Sequence, residues 1–219
     1  MASAAGGPAY PARLTIDYPA QLDRLTTLLR IFWAIPILIV LALVAGGSGS
    51  TTTTTTTGDA THTAQAAGAG IAGSLAFATG LMIVFRQRYP RWWFDFQLQL
   101  ARFSTRVGSY IALLRDEYPS TEDEQGVHLE LDYPDVTRDL NRWLPIVKWL
   151  LAIPHYIVLL ALFVVALIAI VVAWFAILIT GSYPRALFDY VVGVARWALR
   201  VQAYAFLLIT DRYPPFSLY

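Results

Sequence analysis

The chain has no cysteine, only two methionines, and charge on just 14% of its 219 residues. Without cysteine there can be no disulfides, no thiolate metal ligands and no cysteine nucleophile. The three histidines, His62, His128 and His155, have no ligand-like spacing, so no metal site is expected. There is no Gly-rich phosphate loop, no HExxH and no nucleophile elbow, so the chain reads as non-enzymatic and without a cofactor. The apolar runs hold no Asp or Glu, which leaves a proton or cation relay without its carboxylates. The N-terminus lacks a basic start followed by an apolar stretch, so no cleaved signal peptide is expected.

What is present is apolar. Hydrophobic residues make up 57% of the chain and the mean hydropathy is +0.52. A soluble domain is nearer half apolar and a quarter charged, so lipid is the expected solvent for much of the chain. Runs at 28–46, 68–85 and 146–180 are each long enough to cross a bilayer. The last is broken only by Lys148 and His155.

The chain also resembles itself. "LTIDYP" (14–19) matches "LELDYP" (129–134), and Ala-Ile-Pro recurs at 34–36 and 152–154. "RYPRWWFDF" (88–96) matches "SYPRALFDY" (182–190), and "LLRDEYPS" (113–120) matches "LLITDRYPP" (207–215). These matches predict a tandem repeat. The first half carries a polar, Thr-rich insertion at 46–67, opposite Ala161–Phe163 of the second. Taken alone, 146–180 could be one long tilted helix or two short ones. The insertion favours a turn at 161–163, because polar low-complexity segments survive in solvent.

The expected fold is therefore an all-α membrane protein of two tandem repeats. Each repeat is a transmembrane helical hairpin followed by an interfacial amphipathic helix, giving four spans. Residues 1–12 are expected to be disordered, and 13–120 to form the first repeat, with spans at about 26–46 and 68–86 and an amphipathic helix at 90–115. An acidic connector at 121–128 leads to the second repeat at 129–219, with spans at about 142–161 and 164–181 and an amphipathic helix at 184–209. "RLTIDY" and "VHLELDY" alternate like strands and could pair as a small ribbon. All sixteen basic residues lie outside the insertion and the 161–163 turn. The positive-inside rule then puts both termini in the cytoplasm of a bacterial inner membrane, crossed several times, with the Thr-rich loop outside.

At about 100° per residue, Arg91, Asp95, Arg102 and Arg106 share one narrow stripe of the first amphipathic helix. Arg185, Asp189, Arg196 and Arg200 repeat it in the second. A polar stripe on an otherwise apolar helix fits the membrane interface. These eight residues are the candidate binding site for an anion or lipid headgroup; the alternative is simple anchoring, with arginines on lipid phosphates. Tyr-Pro occurs seven times, at Tyr10, Tyr18, Tyr89, Tyr118, Tyr133, Tyr183 and Tyr213, and reads as punctuation of helix ends. Arg30 and Lys148, near the starts of matched apolar runs, are expected to snorkel to the surface.

"KWLLAIPHYIVLLAL" and "AWFAILITGSYPRALFDYVVGVARWALRVQAYAFLLITDRYPPFSL", with a looser first copy, resemble a bacterial family of integral membrane proteins, domain-of-unknown-function family 4389. The resemblance implies paired repeats in a membrane and brings no reaction or ligand with it. The function expected is structural or accessory, with membrane lipids as partners, self-association or a larger complex possible, and no nucleic acid. The alternative is a small transporter or channel with a site between the hairpins.

Overall fold

"ARLTI" and "VHLEL" alternate apolar and polar residues, the period of a strand with one face covered. In the computed structural model, which describes residues 10–45, 50–57, 60–67, 71–121, 123, 125–138 and 140–219, they form β1 (Ala12–Ile16) and β4 (Val127–Leu131). The two strands pair antiparallel with Leu14 opposite Leu129, and both bury every second residue. Leu14 and Leu129 hold the same place in the self-match, and the register is symmetric about them: Ala12 faces Leu131 and Ile16 faces Val127. The segment 1–12 expected to be disordered lies outside the described residues up to residue 9. Beyond it, Tyr10 makes hydrogen bonds and Ala12 opens β1.

Asp23 starts α1 (Arg24–Ala45), its carboxylate accepting the backbone N–H groups of Leu25 and Thr26. Next come β2 (Ser50–Thr57) and β3 (Ala60–Ala67), an antiparallel hairpin, so most of the Thr-rich insertion is strand rather than irregular loop. β-branched threonine favours that conformation. Then follow α2 (Ile71–Leu81), a π-helical turn at Met82–Arg86 and α3 (Arg91–Ile111). After β4 the chain forms α4 (Leu144–Leu151), α5 (Ile153–Thr180) and α6 (Arg185–Ala205). Pro90 and Pro184 sit in extended conformation immediately before α3 and α6, where a proline needs no N–H partner.

The four-span expectation fails here. α5 runs unbroken through 161–163, so the second half holds no transmembrane hairpin. Nothing in its interior breaks a helix, and a turn within apolar surroundings would strand backbone hydrogen-bonding groups. Its 28 residues rise about 42 Å, more than the hydrocarbon thickness. Among the described residues, Leu144–Thr180 is the one helix long and apolar enough to cross a membrane. Arg24–Arg30 and Phe32–Ala42 pass the same test only together, bent by 51°, and Gly73–Arg86 is shorter than a span. The bend lies about one turn before Pro36, where the proline removes a helical hydrogen bond.

The helices expected to lie in the interface are also placed differently. α6 is covered on several sides: Val191–Val194, Trp197, Leu199, Val201 and Ala203–Ala205 are all buried. It packs between β1 and α5, while α3 packs on β4. A stripe of small side chains on α5, Ala166, Ala169 and Ala173, continues to Ile177 and joins the main core with Leu14, Leu129, Phe188 and Leu199. The opposite side of α5 is bare: Leu160, Leu167 and Ile179 are 68, 64 and 74% exposed. An apolar face of this size on a helix of this length is suited to lipid.

Left-handed backbone occurs at Gln87 (φ 46°) and Gly181 (φ 75°), which end the apolar helices of the matched halves. Leu113 and Leu208, also matched, share it at φ 63° and 57°. Glycine carries this conformation without strain, whereas glutamine does not. Gly181→Ala is therefore expected to destabilise by about 1 kcal/mol, and Gln87→Gly to be neutral or stabilising. Thermal unfolding of the two variants in detergent checks the opposed signs.

Candidate functional site

A two-stranded ribbon leaves half of its backbone polar groups pointing outwards. The bonds from Asp17 N–H to the Gly126 carbonyl and from Asp132 N–H to the Pro11 carbonyl set the phase of the ladder. Counting inward by twos makes Leu14 and Leu129 a non-hydrogen-bonded pair, so their carbonyls point away from each other, one along each edge. Arg196 of α6 donates from Nε to the Leu14 carbonyl at 2.9 Å. Arg102 of α3 donates in the same way to the Leu129 carbonyl at 3.1 Å. The stripes predicted to face lipid thus face the ribbon at these two positions.

The other stripe residues divide likewise into two sets. Arg106 donates to the Ser120 carbonyl at 2.6 Å, and Arg200 to the Ser217 carbonyl at 3.0 Å. Burial, then the neighbouring charge of Arg196, lowers the pKa of Arg200. Arg91 stacks over the Tyr133 ring at 4.7 Å, and Arg185 over the Tyr18 ring at 4.5 Å. The Tyr133 hydroxyl donates to the Tyr89 carbonyl, and the Tyr18 hydroxyl to the Tyr183 carbonyl. Arg185 pairs with Asp189 at 3.4 Å, an exposed contact worth a few tenths of a kcal/mol, whereas among the described residues no ion pair joins Arg91 to Asp95. Each Asp-Tyr-Pro lead therefore reaches the Tyr-Pro-Arg cassette of the opposite half.

The eight predicted residues do not converge. Arg91 borders a cleft of 620 Å³ with Tyr133 and Asp135, whereas Arg196 and Arg200 border another of 430 Å³ with Arg13 and Tyr10. Arg102, Arg106, Arg196 and Arg200 are half-buried, while Arg91, Asp95, Arg185 and Asp189 are exposed. The outer four remain open to ligands at the surface, and the inner four bind the chain's own carbonyls.

Sequence reasoning missed two buried ion pairs. Lys148 is fully buried; it meets the Asp211 carboxylate at 2.7 Å and donates to the Thr210 carbonyl at 2.8 Å. Arg30, 3% exposed, pairs with Asp116 and donates to the Arg115 and Tyr110 carbonyls. Each cation also faces a tyrosine ring, Tyr204 at 5.2 Å and Tyr110 at 4.7 Å. Neither cation snorkels, because a carboxylate from the segment after the amphipathic helix reaches in to meet it. The available signal was an aspartate two residues before each terminal Tyr-Pro, Asp116 and Asp211. His155 is fully buried as well: its Nδ1 accepts the Trp197 indole N–H at 3.0 Å, and its ring stacks on Phe216 at 4.0 Å.

Residues 143–217 match the profile of a protein family described as a domain of unknown function, DUF4389. One copy is matched, covering α4, α5, α6 and the segment that follows. No curated protein and no solved structure matches the chain.

Asp211→Asn leaves Lys148 buried beside a neutral partner and is expected to destabilise by about 3 kcal/mol. Lys148→Met with Asp211→Asn is expected to recover most of that loss, and a double-mutant cycle on thermal unfolding measures it. Burial raises the phenol pKa values of Tyr10, Tyr89 and Tyr183 above the ordinary value near 10. The folded state then holds more protons than the unfolded state above that pH. Stability should be full below about pH 10 and fall as pH rises beyond it, which denaturant titration at stepped alkaline pH reads out.

Proposed function

We propose that the protein is a non-enzymatic integral membrane protein, a structural or accessory component that interacts with lipid. The observation that carries this reading is α5, long enough to span and covered along one side only, with its outer side chains exposed. No charged side chain lies on that outer face, so the bilayer meets aliphatic and aromatic groups alone. The exposed arginines of the two cassettes, Arg91 and Arg185, are the groups best placed to meet lipid phosphates. On this reading the membrane is a bacterial plasma membrane, and a single crossing by α5 puts the segment immediately before Leu144 and the cassette after Thr180 on opposite faces of it.

The scaffold is, on this proposal, an internal duplication arranged about a pseudo-two-fold axis through the Leu14–Leu129 pair. Its support is the recurrence of unrelated details at matched positions. They include the two Arg-to-edge bonds, the two Arg-on-Tyr stacks, the two buried cation-aspartate pairs and the paired left-handed residues. Chance similarity of sequence would not reproduce contacts of such different kinds.

The membrane fraction should retain the protein after alkaline carbonate washing, and Ile168→Arg should weaken insertion, since an arginine at mid-span costs about 2.5–3.5 kcal/mol. Arg91→Ala with Arg185→Ala should lower co-purification of anionic lipid at unchanged melting temperature. Arg102→Ala with Arg196→Ala should lower the melting temperature instead. Release of wild type by carbonate, or identical behaviour of the two double variants, would sink the reading.

A further inference from the structure

Between α2, α3, α5 and α6 lies a half-open cavity of 380 Å³, within the range of small-molecule sites. No charged residue lines it. Its walls are mostly leucine, alanine and valine, and its polar groups are the neutral side chains of Gln97, Ser104, Tyr156 and Gln202. Two of these are already engaged. The Gln97 amide donates to the Thr79 hydroxyl at 2.8 Å while its oxygen accepts from Tyr89 at 2.7 Å. The Ser104 hydroxyl donates to the Leu100 carbonyl at 2.8 Å. The Tyr156 hydroxyl is different: it is buried and has no hydrogen-bond partner among the described residues. Buried hydroxyls without partners are rare in folded proteins, and one carried by a residue that lines a cavity marks where an acceptor belongs once the ring turns toward that space. Gln202 is exposed and marks the opening.

We propose that this cavity holds the acyl chain of a membrane glycerolipid, with the ester carbonyl accepting a hydrogen bond from Tyr156. The uncharged lining selects the apolar part of the lipid and leaves any charged headgroup outside. Depth selects the ester. Tyr156 lies in the first turn of α5, seven residues or about 10 Å along the chain from the exposed Trp149, and indoles favour the headgroup level. The glycerol esters of a bilayer lie just beneath that level.

The proposal rests on the membrane reading above and names one lipid contact within it. The full-length protein, purified in detergent, is equilibrated with equal amounts of diacyl- and dialkyl-ether phosphatidylethanolamine of matched chain length, and retained lipid is counted by native mass spectrometry. Wild type should keep the ester lipid about fivefold over the ether, which lacks the carbonyl. Tyr156→Phe, nearly isosteric, should keep both equally. Ala198→Leu, which narrows the cavity, should keep less of both, at wild-type helicity. Equal retention of the two lipids by wild type, a preference surviving in Tyr156→Phe, or wild-type retention by Ala198→Leu would each overturn the proposal. A protein that resists carbonate washing yet shows no ester preference loses this inference alone, whereas one released by carbonate loses the reading beneath it.

Discussion

The outward carbonyls of Leu14 and Leu129 set the conditions for the rest of the structure. A ribbon of two five-residue strands is marginal by itself, and its edges offer polar groups that must be met wherever water is scarce. Arg196 and Arg102 meet them from opposite sides. A guanidinium suits this task because it remains charged at any ordinary pH and its planar fork can reach a carbonyl from a half-buried stem. α6 and α3 are thereby held against the ribbon, and α6 carries α5 on its other side. The positions of α3, α5 and α6 around the ribbon follow from how those two carbonyls are satisfied.

Around this centre the chain repeatedly meets polar groups with partners from distant segments. Tyr18 reaches Tyr183, Tyr133 reaches Tyr89, and Asp116 and Asp211 reach cations inside apolar runs. Buried ion pairs of this kind contribute little net stability but are costly to break singly. They act mainly as register marks, since each apolar run can dock only where its cation finds the carboxylate. The cavity beside α5 departs from this pattern, because the buried hydroxyl of Tyr156, one of its lining residues, ends without a partner among the described residues.

Much of the local structure was legible in the sequence. Tyr-Pro-Arg marks the start of α3 and of α6, and period-two alternation marks the ribbon strands. The span count was not legible, because the Thr-rich insertion suggested a turn at 161–163, where the second half has Ala161, Leu162 and Phe163 inside an unbroken helix. The orientation of the amphipathic helices was hidden for another reason. A stripe of Arg102, Arg106, Arg196 and Arg200 is satisfied equally by lipid phosphates and by backbone carbonyls, and periodicity does not distinguish between them. The partners of Arg30 and Lys148 lie outside the apolar runs altogether, so inspecting those runs for acids could not find them.

The ribbon joins residues near one end of the chain to residues near the other: Leu14 binds Arg196, and Tyr10 binds the carbonyl of Arg212. During synthesis β1 emerges first, yet its strand partner and its arginine come much later. The Leu14 edge of β1 must therefore wait, uncovered, until α6 has left the ribosome, whereas α3 and β4 can meet earlier. Of the two ribbon edges, the one at Leu14 is thus the later to close. A nascent chain that stops before Arg196 would keep the Leu14 carbonyl, and the strand edge around it, without its guanidinium.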